Sequence, residues 1–174
     1  GFTSNLATFL HQRRDENLVP QLVVSAKAIT GKTDLMLDLM FEILSDTIFT
    51  DKDRLKQVIR RHHAQIDANI RQNGMNYAMN RAGSGYSRRG YFNEWTSGIE
   101  YYRVLSEITK TFDTKSSVIS CKLIETAYHL FSQRNLKVLV VCPAEDLESF
   151  RLKLTGKIER MDLGSGRFFP WNFS

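Results

Sequence analysis

Apolar residues recur along this chain with two different periods, and the period assigns most of its elements. Leu22, Val24 and Ala26 alternate with Gln21, Val23 and Ser25, the period-two pattern of a half-buried strand. Phe2–Phe9 reads as a companion strand. Between them, His11–Pro20 carries Arg13, Arg14, Asp15 and Glu16. A polar connection is expected there, because proline fits poorly inside a central strand. From Asp34 to Asp46 the period changes: Leu35, Met36, Leu39, Met40, Ile43 and Leu44 are spaced as on the buried face of a helix. Thr33 is the expected N-cap, and Gly31 interrupts the chain before it. Met36 and Met40 read as core filler, since methionine packs irregular gaps.

A second helix opens at Thr50-Asp51-Lys52-Asp53, where carboxylates suit the positive end of the helix dipole. Leu55, Ile59, His62, Ile66 and Ile70 mark its expected buried face, opposite Lys56, Arg60 and Arg71. Asn73-Gly74 is expected to end it, with the glycine left-handed. Met75–Ala82 makes a short helix, followed by a Gly83–Gly90 loop. A third helix is predicted over Asn93–Phe112 and a fourth over Ser116–Gln133. Leu136–Cys142 is a dense apolar run, predicted to be a strand covered on both faces. Glu145–Met161 forms the last predicted helix, and residues 162–174 an aromatic tail. The predicted class is α+β, a small, mainly antiparallel sheet packed against several helices. Three strands are thin for so much helix, so part of the sheet is expected to lie outside this chain.

Composition narrows the class without changing it. The 174 residues suit one domain, 42% of them hydrophobic and 25% charged, as in ordinary globular proteins. No apolar run approaches the ~20 residues that span a bilayer, so no membrane partner is expected. The chain begins Gly-Phe-Thr-Ser-Asn, without a basic and apolar leader, and the expectation is a fragment of a longer protein. Cys121 and Cys142 lie in apolar stretches and are expected to be buried free thiols in a reducing compartment, the cytoplasm by default. A net charge of +5 permits acidic partners without requiring them.

Candidate chemistry is sparse. His62 and His63 are adjacent on a helix and point about 100° apart, so they cannot share one metal. His63 and Asp67 stand four apart and can pair, a pattern that usually belongs to surface structure. Neither H-x-x-E-H nor H-E-x-x-H occurs. Gly83-Ser84-Gly85 lacks the preceding strand and the Gly-Lys-Ser/Thr ending of a phosphate loop. Arg60, Arg61, Arg71, Arg81, Arg88 and Arg89 lie near Tyr77, Tyr86, Tyr91 and Phe92, an interleaving that a single-stranded nucleic-acid surface would use. No recognised motif supports that alternative, a stand-alone binding module, and a solvated helix face is the simpler reading. No catalytic, cofactor-binding or metal-ligating residue is assigned.

Four segments in order carry a resemblance: Val24–Ala28, Ile48–Lys56, Asn69–Ala82 and Ser97–Leu105. The series resembles the third, peptidase-associated domain of the presequence-protease subfamily of pitrilysin/insulinase zinc metallopeptidases. The resemblance implies a parent several times longer, with four related α+β domains closing around an unfolded peptide. It also implies a zinc site in the first domain and none here, so this chain would shape the chamber wall and be inactive alone. Its partners would be the remaining domains and peptide substrates, in the cytoplasm or in a mitochondrial or plastid interior. Where the family often has histidine after a glycine, this chain has Met75. The resemblance also implies that the domain's first strand and helix are absent, leaving a sheet edge that could join two copies.

Overall fold

The computed structural model describes residues 1–11, 14–132 and 136–160, with backbone alone at 10–11, 14–17 and 160. It is mainly helical with one two-stranded antiparallel sheet, the expected α+β class. Strand β1 covers Phe2–His11 and β2 covers Arg14–Ala26. Gly1 and Lys27 exchange both backbone hydrogen bonds at 2.9 Å, closing the open end of this hairpin. The polar stretch expected to be a long loop is therefore largely strand. Pro20 is tolerated because each strand of a two-stranded sheet has an unpaired side, where a missing N–H costs nothing.

Helix α1 spans Thr33–Ser45, α2 Lys52–Gln72, α3 Gly74–Gly83, α4 Arg88–Ser97, α5 Ile99–Leu130 and α6 Ala144–Arg160. Thr33 does not cap α1. A short 3-10 turn, Thr30–Lys32, precedes the helix, and the Thr33 hydroxyl donates to the Thr30 carbonyl instead (2.9 Å). Asp51 caps α2 as expected, its side chain accepting from the Arg54 N–H at 3.0 Å. Gly74 is not left-handed, because it opens α3. The third and fourth predicted helices are differently divided. The chain breaks at Gly98, not near Asp113, and α5 runs unbroken for 32 residues. Leu136–Cys142 joins no ladder, so among the described residues the predicted third strand is unpaired. The aromatic tail 162–174 lies outside the described residues.

Two compact units are distinguished. The first holds residues 1–5, 22–48 and, of those described, 122–132 and 136–160. Its core is Leu37, only 1% exposed, with Phe41 and Leu154, flanked by Met36, Met40, Phe150 and Ile158. The methionines thus fill core, as their spacing implied. Lys153 pairs with Asp34 at 2.7 Å and Lys157 pairs with Asp38. Equal four-residue steps in the same direction make α1 and α6 parallel neighbours. The second unit holds residues 6–21 and 49–121, in which α3 packs against both α2 and α4.

Candidate functional site

The densest set of polar contacts lies in the second unit, where α2 and α5 run antiparallel. Lys56 pairs with Asp113, His63 Nε2 lies 2.9 Å from Ser106 Oγ, and Tyr102 OH donates to Asp67 Oδ1 at 2.7 Å. The contacts advance by seven and then four residues on α2 while retreating by the same steps on α5. That is the spacing at which side chains of one helix meet the seam of another. Ile66, Leu105 and Phe112, all buried, supply the apolar part of the packing. His63 therefore faces inward, whereas His62, expected on the apolar face, is exposed and meets Tyr101 OH at 2.9 Å. Stepping from Ile59 to His63 to Ile66 follows the seam, and stepping through His62 does not.

His63 and Ser106 stand at the distance of a base and a nucleophile, but the protons run the wrong way. Ser106 donates its only proton to the Tyr102 carbonyl at 2.8 Å, so it accepts from His63 Nε2–H. His63 also stacks on Tyr102, with centroids 5.1 Å apart. The third member of a triad would have to orient the imidazole. Asp67 instead accepts from Tyr102 and from Arg71 Nε at 3.0 Å. Donation from Tyr102, followed by the Arg71 charge, holds the Asp67 carboxyl below its ordinary range. The same bond, with burial, pushes the Tyr102 hydroxyl up. This arrangement joins two helices and activates no nucleophile.

A second polar cluster sits where α3, α4 and α5 meet. Arg81 Nη1 donates to Glu94 Oε1 at 2.8 Å and to Glu100 Oε1 at 2.7 Å, and Arg103 adds a bond to Glu100 at 2.8 Å. Glu100, then Glu94, holds the Arg81 guanidinium further into its charged form. Glu94 is only 3% exposed, yet it also accepts the Glu100 N–H at 3.1 Å. It thereby places a carboxylate at the N-terminal end of α5, where the helix dipole favours it. Gly98 makes this possible. A Cβ there would lie 2.7 Å from the Glu94 Cα and collide with its carboxylate. Glu94 escaped the sequence reading; its signal was a carboxylate four residues before a glycine, between Phe92 and Trp95.

Other candidates are scattered. Arg60 and Arg61 are exposed midway along α2, and Arg88 and Arg89 begin α4, with α3 packed against both helices. Ser84 closes α3 by donating to the Arg81 carbonyl at 2.7 Å, a structural role. Met75 is exposed. Cys121 is exposed and Cys142 half-buried, which corrects the expectation of buried thiols. A groove of about 310 Å³ between α1 and α6 is lined by ion pairs already formed among Asp34, Asp38, Lys153 and Lys157. Among the described residues no three His, Cys, Asp or Glu side chains converge as metal ligands. No described helix is long and apolar enough to cross a membrane.

Two of the four signature segments named above meet in this unit: Arg81 comes from one, and Gly98, Glu100, Tyr102 and Arg103 from the other. Residues 1–108 match the family model of the peptidase-associated domain found in subfamily C of the pitrilysin-family peptidases. The chain belongs to that family. The resemblance to the presequence-protease subfamily is borne out, and the chain is a peptidase-associated segment. This peptidase-associated chain is 29% identical to Protein HypA of Clostridium perfringens (strain 13 / Type A) over 173 residues. The alignment covers 99% of this chain and 18% of that protein. It is 25% identical over 153 residues to Presequence protease 1, chloroplastic/mitochondrial, of Arabidopsis thaliana, covering 87% of this chain and 14% of the relative. The chain thus spans less than a fifth of either relative.

Proposed function

We propose that this chain is a non-catalytic, chamber-forming segment of a zinc-dependent peptidase that degrades unfolded oligopeptides. The family match over residues 1–108 carries the reading, and similarity to a presequence protease supports it. Zinc, in such an enzyme, polarises the scissile carbonyl and activates water. Its ligands would come from elsewhere in the polypeptide. The residues described here serve shape instead. The α2–α5 seam fixes two helices against each other, and the Arg81–Glu94–Glu100 cluster fixes the turn from α4 into α5. Exposed Arg60 and Arg61 offer positive charge to peptide carboxylates. The proposed partners are the remaining domains and peptide substrates. The proposed compartment is the cytoplasm, or a mitochondrial or plastid interior.

The test begins with the complete open reading frame. Upstream sequence should contain the inverted H-x-x-E-H motif. Its product should cleave an unfolded peptide, lose that activity to a chelator and regain it with zinc, while the 174-residue chain alone cleaves nothing. A start codon beside the Gly1 codon, or chelator-resistant cleavage by the chain alone, would overturn the proposal.

A further inference from the structure

Methionine is placed in two ways in this chain. Met36 and Met40 flank the core on α1, whereas Met75 and Met79 on α3 are 75% and 58% exposed. Residues four apart on a helix stack along one ridge. Met75 and Met79 therefore form one ridge of α3, and Asn76 and Asn80, also exposed, form the next. Half-buried Tyr77 and Arg81, which bonds Glu94 and Glu100, belong to the opposite side, by which α3 is held. The outward side of α3 thus carries apolar and carboxamide side chains and no charge.

The two ridges recognise different parts of a polypeptide. Methionine is unbranched and polarisable, so an exposed methionine adapts to apolar groups of varied shape, as on surfaces that accept many partners. A carboxamide both donates and accepts, so it can bond the backbone of an extended chain whatever that chain's sequence. The surrounding charge has one sign. Between Asn69 and Asn93 the charged residues are Arg71, Arg81, Arg88 and Arg89, with no carboxylate among them. A positive field draws in partners of negative charge. An extended peptide with apolar and acidic side chains suits all three features. The same arginines would attract nucleic acid, but stacked bases need aromatic faces, and the outward side of α3 presents none.

We propose that the Met75–Met79 and Asn76–Asn80 ridges of α3 form a docking surface for apolar, acidic segments of an unfolded peptide. The inference rests on the reading of this chain as part of a peptidase for unfolded oligopeptides. It adds where such a peptide is held and which peptides are favoured. Adaptable methionines and backbone-reading amides suit a substrate with no fixed sequence. The helix beneath them is itself fixed, because α3 packs against α2 and α4 and is pinned by Arg81, so the ridges stand on a rigid support.

Steady-state cleavage by the product of the complete reading frame tests this. The probes are an unfolded peptide of leucine, glutamate and glycine and a second in which lysine replaces glutamate. The glutamate peptide should have the lower KM, by about 3-fold or more. The double substitution Met75→Gln, Met79→Gln should raise that KM at least about 10-fold and leave kcat unchanged, the pattern of lost uniform binding. Both positions are exposed, so the variant should melt like the parent. Met75→Leu with Met79→Leu should keep the parent KM, and so should Val118→Gln, an exposed site on α5. A product without zinc-dependent cleavage overturns the proposed function and this inference with it. Zinc-dependent cleavage with KM unchanged in the glutamine variant overturns this inference alone, as does a KM for the glutamate peptide no lower than for the lysine one. Tighter binding of a single-stranded oligonucleotide, lost in the glutamine variant, identifies nucleic acid as the occupant and also overturns it.

Discussion

Replacing Gly98 with alanine should destabilise the chain, and the same substitution at Gly156 should stabilise it. At Gly98 a Cβ would stand 2.7 Å from the Glu94 Cα and from its Cδ, and against its Oε2. The side chain could swing aside, but the Cα belongs to the last turns of α4 and cannot move alone. Overpacking of this kind costs about 1–3 kcal/mol. Swinging the carboxylate away also loses its bond to the Glu100 N–H, a further net cost of about 1 kcal/mol. A total of about 2–4 kcal/mol lowers Tm by roughly 4–16 °C in a chain of this size. Gly156 lies inside α6 with nothing within 4 Å of its missing Cβ. Alanine there removes only backbone freedom and should gain up to about 1 kcal/mol, or roughly 2–4 °C. Thermal melts followed by helical circular dichroism decide the matter. If Gly98→Ala melts within about 1 °C of the parent, or if both variants shift in the same direction, the account of the α4–α5 junction is wrong.

Three further outcomes are expected. The Asp67 carboxyl has a lowered pKa in the folded state, so its contribution is present above its unfolded value and lost as pH falls through the folded one. Urea melts of the parent should weaken below about pH 4, and Asp67→Asn should flatten that decline. The Tyr102 hydroxyl is shifted the other way, so its share should fade above about pH 10 and be absent in Tyr102→Phe. Arg81→Ala should lower Tm by more than Arg151→Ala, because it strips a cation from buried Glu94, whereas Arg151 pairs with a Glu148 open to water. Cys121 should react with a thiol reagent in the native chain faster than Cys142; equal, slow labelling would contradict the exposed position on α5.

The helices α1, α2, α3 and α6 were legible because their apolar residues repeat at three and four and their ends carry recognisable residues such as Asp51. The α4–α5 boundary was not. Asp113-Thr114-Lys115-Ser116 looks like a helix break, yet Thr114 donates to the Thr111 carbonyl, and Asp113 finds Lys56 on α2. Ser116 and Ser120 turn inward, the latter donating to the Phe49 carbonyl. Lys56 and Phe49 are remote in sequence from their partners, whereas the break at Gly98 answers to Glu94, four residues away, through a packing contact that periodicity does not show. The His62–His63 error has a similar origin. One residue's rotation about a helix decides which imidazole faces inward, and only the partner helix settles it. The unpaired Leu136–Cys142 shows the converse: its pattern reads as a strand, but a ladder also needs a partner, which no pattern within the segment can specify.

The α2–α5 seam has a consequence for how such a sequence can change over generations. Lys56 with Asp113, His63 with Ser106, and Asp67 with Tyr102 are three rungs at matched intervals on both helices. Sliding one helix by a single position would misalign all three together. Changing one member of a rung strands the other. Drift is therefore expected to proceed rung by rung, with both members replaced together, while the intervals between rungs stay constant and the exposed positions beside them vary freely.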